Sequence, residues 1–115
     1  MNYRLFMNRS LSMMSNMANG KHGLEGKVLQ LPCAVNKGFF PDESSYRITI
    51  DEPTRHVIVG HADSESIITK NGDSFVHALV MKGLERNNAR IFLPGELVSD
   101  LNPVSVSISW LSRFV

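Results

Sequence analysis

The chain has 115 residues, of which 43% are hydrophobic and 20% are charged. This length suits one domain, and the composition supplies an apolar core and excludes a disordered chain. The formal net charge of +1 excludes a strong overall attraction to nucleic acid, lipid or acidic substrates, while a local basic groove stays compatible with it. Because Cys33 is the single cysteine, no disulfide can form within these residues, which favours a reducing compartment. No apolar run approaches the roughly 18–20 residues that a membrane-spanning helix needs.

Residues 1–23 differ in composition from the rest of the chain. They hold five of the six methionines and no acidic residue, and several of their apolar residues recur at three- and four-residue steps. Three interpretations stay open: a loosely docked leader, an organelle transit peptide, or a helix that packs on the domain. We therefore predict a leader over 1–23 and a single β domain over 24–115, located in the cytoplasm unless residues 1–17 direct organelle import.

Period-two alternation marks the first strands of the predicted domain. Apolar residues share one face over 27–35 and again over 46–50, which predicts two half-buried strands. Pro32 has no amide hydrogen for a ladder, so we expect the first strand to lie at a sheet edge or to be bulged there. Residues 56–59 predict a short apolar strand that Gly60 breaks.

The Asn71-Gly72 pair is the strongest turn signal, because it suits the positive φ angles of a tight hairpin. Residues 67–69 before it allow one more short strand. Residues 74–85 after it fit both a strand and a helix, since their apolar side chains suit either period. We favour the strand, because 86–88 then form a hairpin turn into a further strand over 90–93.

The C-terminal part of the chain carries the clearest strand pattern. Residues 104–110 alternate valine or isoleucine with serine and end on Trp110, which predicts a strand over 104–111 with Trp110 as its largest buried group. Before it, residues 96–101 predict one helical turn that bridges two strands. After it, Phe114 and Val115 form an apolar tip that needs burial, for which a homodimer interface is one solution.

The spacing of these elements predicts the fold class. About six short strands recur at intervals of roughly ten residues with turn residues between them, which is typical of an all-β sandwich or barrel. We therefore predict an all-β domain, with room for one short helix, built as a small antiparallel barrel or sandwich. A barrel, similar in type to the oligonucleotide-binding barrels, is the favoured form.

Residues suited to catalysis are few and stand in no recognised motif. The chain has neither His-x-x-x-His nor Cys-x-x-Cys spacing, nor a glycine-rich phosphate loop before a helix, so we predict no metal and no cofactor. A small hydrolase-type enzyme that uses His61 with Asp63, or Cys33 as a nucleophile, is the alternative function. Cys33 shares its predicted face with two leucines, which favours a buried and inert thiol.

Aromatic and basic residues give a binding signal. Phe39 and Phe40 follow a turn, with Lys37 before them and Arg47 after, and exposed rings beside cations can stack bases and neutralise phosphates. The alternative is that both rings plug one end of the barrel. Three cations around the predicted hairpin would add a second basic spot: Lys82, Arg86 and Arg90.

The predicted function is a non-catalytic interaction module. Its partner is another protein or a single-stranded nucleic acid, met through the loop at Phe39 and Phe40 and the hairpin at 86–90. A structural or accessory subunit of a larger assembly, whose edge strands pair with neighbouring subunits, is a further alternative. The fold decides whether the candidate residues share one surface.

Overall fold

The computed structural model describes residues 23–38 and 40–115, and the prediction of a leader falls almost entirely outside them. Within the described ranges the chain forms eight strands: β1 Val28–Lys37, β2 Glu43–Ile50, β3 His56–Asp63, β4 Ile67–Lys70, β5 Asp73–Val80, β6 Asn88–Phe92, β7 Glu96–Leu97 and β8 Val104–Ser107. One short helix follows, α1 over Ile108–Leu111, and single turns of 3-10 helix cover Ser64–Ser66 and Ser112–Phe114. This confirms an all-β fold with one short helix.

All strand pairs are antiparallel, and the strands lie in the order β7-β3-β2-β1-β5-β6-β8, with β4 paired to β5. Strand β1 joins two halves, because residues 28–33 pair with β5 and residues 34–37 pair with β2. We call the part around β4, β5, β6 and β8 the β5 half, and the part around β2, β3 and β7 the β2 half. The sheet curls into an open half-barrel rather than a closed barrel.

The core follows from strict alternation along the strands. Side chains at every second position face the inside of the curled sheet, where they are removed from water. The buried strand residues are Leu29, Leu31, Tyr46, Ile48, Ile50, Ile58, Ala62, Val76, Ala78, Val80, Ala89, Ile91, Val104 and Val106. Both halves of the sheet therefore share one apolar interior.

Residues 74–85 fold as the predicted strand over most of their length. Strand β5 runs from Asp73 to Val80 and forms a tight hairpin with β4, in which Asn71 has φ 53° and Gly72 has φ 85°. Positive φ at both central residues is the geometry expected of an Asn-Gly turn. The prediction of that hairpin is confirmed.

The expected break at Gly60 is wrong, because β3 continues through it to Asp63. A β-carbon on Gly60 would overlap the aromatic ring of Tyr46, which lies directly opposite in the register. The Tyr46 ring occupies the space beside Gly60, and its hydroxyl donates a hydrogen bond of 2.7 Å to the carbonyl oxygen of Pro94. Gly60 therefore makes room for a buried side chain and does not end the strand.

The expected helical turn over 96–101 is also wrong, because Glu96 and Leu97 form strand β7 beside β3. Gly95 before it has φ +73°, and a β-carbon there would overlap the carbonyl oxygen of His61. Asn102 closes the loop: its side chain accepts a hydrogen bond from the Leu93 amide at 3.1 Å and donates one to the Leu93 carbonyl at 2.7 Å. The side-chain amide of Asn102 therefore bonds both backbone groups of Leu93, as a neighbouring strand would.

The predicted strand over 104–111 is correct only to Ser107. The Ser107 hydroxyl accepts a hydrogen bond of 3.3 Å from the Trp110 amide and so caps α1. Trp110 and Leu111 are consecutive and both buried, which alternation along a strand would not allow. The prediction that Trp110 is buried is confirmed, and Phe114 packs edge-on against it with ring centroids 4.9 Å apart.

Among residues 23–38 and 40–115, no helix is long and apolar enough to cross a bilayer. Pro32 lies in the part of β1 that has a strand partner on one edge only. The expected edge position is wrong for the strand as a whole, since β1 lies between β2 and β5 in the sheet order. The segment around Pro32 has a free edge, where proline need not donate to a second ladder.

Candidate interaction surface

Three apolar side chains lie side by side on the outward face of the β5 half. Val28 on β1 is directly opposite Leu79 on β5, and Leu79 is directly opposite Phe92 on β6. Their exposed fractions are 59%, 40% and 49%, respectively. Because neighbouring strands are about 4.8 Å apart, the three side chains form one continuous surface, which we call the apolar row. Outward positions of a solvated sheet are usually polar, so the row is unusual.

Two shallow depressions adjoin the apolar row. One, of about 340 Å³, is lined by all three row residues together with His77 and Pro94. The other, of about 700 Å³, runs from Val28 and His77 to Phe114 and Val115 at the C-terminal end of the chain. Val28 and His77 line both depressions, so the two depressions adjoin each other beside the row.

Cations lie around the apolar row. Lys27 lines the larger depression, and Arg90 precedes Phe92 by two residues on the same outward face of β6. Lys70 reaches from β4 across the outward face of β5, where its ammonium donates a hydrogen bond of 3.2 Å to the side-chain oxygen of Gln30 on β1. In the part of the chain that the structure describes, none of these three cations forms a salt bridge.

The outward face of the β2 half is different in character. Glu43, Asp63 and Glu96 line a depression of about 240 Å³ together with His61, and we call these three carboxylates the acidic rim. His61 lies directly between Ser45 on β2 and Glu96 on β7. This places a hydroxyl, an imidazole and a carboxylate in one row across three strands.

That row does not assemble a catalytic triad. No hydrogen bond joins Ser45, His61 and Glu96 in the described structure, although a nucleophile and its base need such contact. Asp63, the predicted partner of His61, is two residues further along the same outward face. Within the described ranges there is also no cluster of His, Cys, Asp and Glu that could hold a metal ion.

Cys33 is half-buried next to the core. Burial raises the pKa of its thiol above the ordinary value, because a thiolate is poorly solvated there. A nucleophilic cysteine needs the opposite shift, since the thiolate is the reactive form. The environment of Cys33 therefore favours an unreactive thiol.

The predicted residues near the β1–β2 turn do not share one face. Phe40 is 66% exposed in that turn, and Phe39 lies outside the described residues. The register places Lys37 and Arg47 on opposite faces of the β1–β2 pair. The loop therefore presents one described ring, with the two cations on different sides.

The other predicted cations share the hairpin between β5 and β6. The Met81 amide bonds to the Arg90 carbonyl at 2.9 Å, which brings Lys82 close to Arg90, while Arg86 occupies the turn with φ 49°. This hairpin lies next to the first residue of β1, whereas Phe40 comes after the last residue of β1. Ten residues of strand span roughly 30 Å, so the two predicted basic spots are well separated.

Sequence reasoning did not find the apolar row. Val28, Leu79 and Phe92 are far apart in the chain, and only the register between β1, β5 and β6 brings them together. One signal was present in the sequence: residues 75–80 are apolar at five of six positions, so both faces of the strand carry apolar groups.

Comparison with known proteins adds no relative: no protein-family profile, curated protein or solved structure matches this chain. Function is therefore inferred from the two outward faces described above.

Proposed function

We propose that this protein is a non-catalytic protein-interaction module and that the apolar row is its docking surface. The observation that supports this is the direct alignment of Val28, Leu79 and Phe92 on three neighbouring strands, all substantially exposed. Contiguous apolar surface of this kind is typical of an interaction site, whereas single exposed apolar residues are common and need no function.

The energy available at the row is adequate for an anchor. Full burial of a valine, leucine or phenylalanine side chain is worth about 1.5–3 kcal/mol, so covering the exposed half of three such side chains contributes about 3 kcal/mol. This corresponds to roughly a hundredfold in Kd. The adjoining depressions add concave surface into which a partner's side chains can insert.

A protein partner fits the row better than a single-stranded nucleic acid. Bases bind by stacking on aromatic rings, and two of the three row residues are aliphatic. Phe92 is the one ring in the row, and Phe40, the other well-exposed ring among the described residues, lies towards the far end of β1. Aliphatic side chains on a strand surface are suited to packing against the apolar side chains of a protein.

The test compares two matched aspartate substitutions. Leu79→Asp changes the apolar row, and Val57→Asp changes an outward position of β3 in the β2 half with a similar exposed fraction, 37% against 40%. Dodecapeptides selected by display against the immobilised wild type serve as probes, with oligothymidylate as the nucleic-acid probe. We expect Leu79→Asp to raise the Kd for the selected peptides by at least about tenfold. Val57→Asp should raise it by less than about twofold.

Urea unfolding of both variants establishes that each remains folded. If the two substitutions weaken the peptides equally, or if no peptide is selected above background, the apolar row is not the docking surface. Oligothymidylate binding that Leu79→Asp removes would assign the row to nucleic acid instead. A wild-type dimer in light scattering that only Leu79→Asp dissociates would make a second copy the partner, and it would contradict a separate partner protein.

A further inference from the structure

We infer that the partner's docking segment is acidic as well as apolar, with carboxylates next to the apolar side chains that cover the row. This inference rests on the proposed function and concerns the chemistry of its partner. Its basis is the set of cations around the apolar row: Lys27, Lys70 and Arg90.

The cations border the row on more than one side. The Cα atoms of Arg90 and Phe92 are about 7 Å apart along β6, since two residues of strand cover that length. Lys70 and Gln30 belong to strands on opposite edges of β5, so their hydrogen bond places the ammonium over the outward face of β5. Lys27 immediately precedes Val28 at the start of the row.

Carboxylates are scarce at the strand positions of the same face, while Glu25 lies beside it and accepts a hydrogen bond of 2.7 Å from the Gly83 amide in the β5–β6 hairpin. Among the described outward strand positions of the β5 half there is one acidic residue, Asp73, which lies opposite Lys70 in the register. The acidic rim belongs to the other half of the sheet. A partner segment with acidic residues would therefore be attracted to this face, and a basic segment would be repelled from it.

The expected contribution of these charges is specificity more than affinity. The cations are exposed, so their attraction to carboxylates is screened by salt within about 8–10 Å. Apolar contacts provide the anchor, and the charges select among segments that carry suitable anchors. We therefore expect a preference for acidic segments that decreases as salt is added, together with apolar binding that salt changes little.

The test uses three short synthetic peptides with the same alternating leucine and phenylalanine positions. Their intervening residues are glutamate, glutamine or lysine. At low salt we expect the wild type to bind the glutamate peptide about tenfold more tightly than the glutamine peptide, with the lysine peptide weakest, and we expect this preference to shrink as salt is added.

Two variants locate the effect. Lys70→Gln combined with Arg90→Gln should remove most of the preference for glutamate while leaving the glutamine peptide within about twofold of its wild-type affinity. Arg47→Gln, at an exposed outward cation of the β2 half, is the matched control and should leave the preference unchanged.

The outcomes separate the two proposals. Equal binding of the glutamate and glutamine peptides, or a preference that Arg47→Gln reduces as much as the double variant does, overturns the acidic partner. In that case the proposed function stands if Leu79→Asp still weakens both peptides. If Leu79→Asp weakens none of them, the proposed function itself fails. Oligothymidylate that displaces the glutamate peptide, with binding that Leu79→Asp removes, assigns the face to nucleic acid and overturns both.

Discussion

The two halves of the curled sheet share an interior and differ on the outside. In β2, the outward Arg47 and Thr49 alternate with the buried Ile48. In β5, the outward Phe75 and Leu79 alternate with the polar Asp73 and His77, so both faces of the strand carry apolar groups. The comparison shows that the inward strand positions are apolar in both halves, whereas the outward positions vary from strand to strand. Under the proposed function, the exposed apolar residues at outward positions of the β5 half are the docking surface.

Two neighbouring residues on β6 give the strongest test of the difference between inward and outward positions. Ile91 is fully buried, and Phe92 after it is 49% exposed on the outward face. We expect Ile91→Ala to lower the free energy of unfolding by about 3 kcal/mol, because it leaves a cavity in the core. Phe92→Ala should cost about 1 kcal/mol or less, since the ring is already half in water. Urea unfolding measures both, and similar losses would mean that Phe92 is needed for the fold rather than for binding.

Gly60 tests the interior of the β2 half. Gly60→Ala places a methyl group where the Tyr46 ring lies, so we expect a loss of about 2–3 kcal/mol as the ring is forced out of position. Gly72→Ala is the control, because nothing lies within 4 Å of a β-carbon there and only its φ of +85° is unfavourable. The control should cost about 1 kcal/mol. A Gly60→Ala protein as stable as the control would show that the close approach of the ring has no energetic consequence.

The same comparison explains which strands could be predicted from sequence. Strand β2 has polar outward residues, so its period-two pattern is unambiguous and its core residues were predicted correctly. Strand β5 carries apolar groups on both faces, and a short run of that kind fits a helix equally well. The ambiguity at residues 74–85 and the apolar row therefore have one cause, which is the presence of apolar groups on the second face of β5.

Other features required information that the pattern of the chain does not hold. Gly60 resembles a strand breaker until the opposite residue is known to be Tyr46. The serine at 107 fits a strand position and a helix cap equally well, and the adjacent Trp110 and Leu111 were the signal for a helix. For the site, the hairpin cations could be grouped from local sequence, but the apolar row could not, because it depends on the register of distant strands.

Tyr46 offers a smaller effect with a defined pH dependence. Tyr46→Phe removes the hydrogen bond to the Pro94 carbonyl, and we expect it to cost about 1 kcal/mol near neutral pH. Burial, with the nearby Cys33 as a second cause, raises the pKa of the Tyr46 phenol above its ordinary value. The unfolded chain therefore releases this proton first as pH rises past about 10, so the stability linked to the neutral phenol is present below that pH and lost above it.

The measurement for Tyr46 is the difference in unfolding free energy between wild type and Tyr46→Phe at about pH 8 and about pH 11. Subtracting the variant cancels the other groups that titrate in this range. The difference should shrink or reverse at the higher pH. A difference that is the same at both values would mean that the phenol ionises equally easily in the folded and unfolded chain.

Arg113 gives the smallest expected effect and concerns the contact between the two halves. It follows α1 and lies two residues before Val115, which lines the larger depression. Its guanidinium bonds to Asp51 and Glu52 in the β2–β3 turn. The hydrogen bond from Arg113 lowers the pKa of Asp51 below its ordinary value. Stability linked to this pair is therefore present above the unfolded pKa and is lost as pH falls through the folded one.

The pair is exposed, so the stability change from Arg113→Gln should be small and reduced further by salt. The clearer measurement is the titration of the Asp51 carboxyl by NMR, in which Arg113→Gln should raise the pKa towards the ordinary value. Arg55→Gln is the control, because Arg55 contributes a weaker attraction to the same carboxylate and should move its pKa less. If both variants shift Asp51 equally, the contact follows from the general charge of the turn, and the C-terminal segment is not specifically attached to the β2 half.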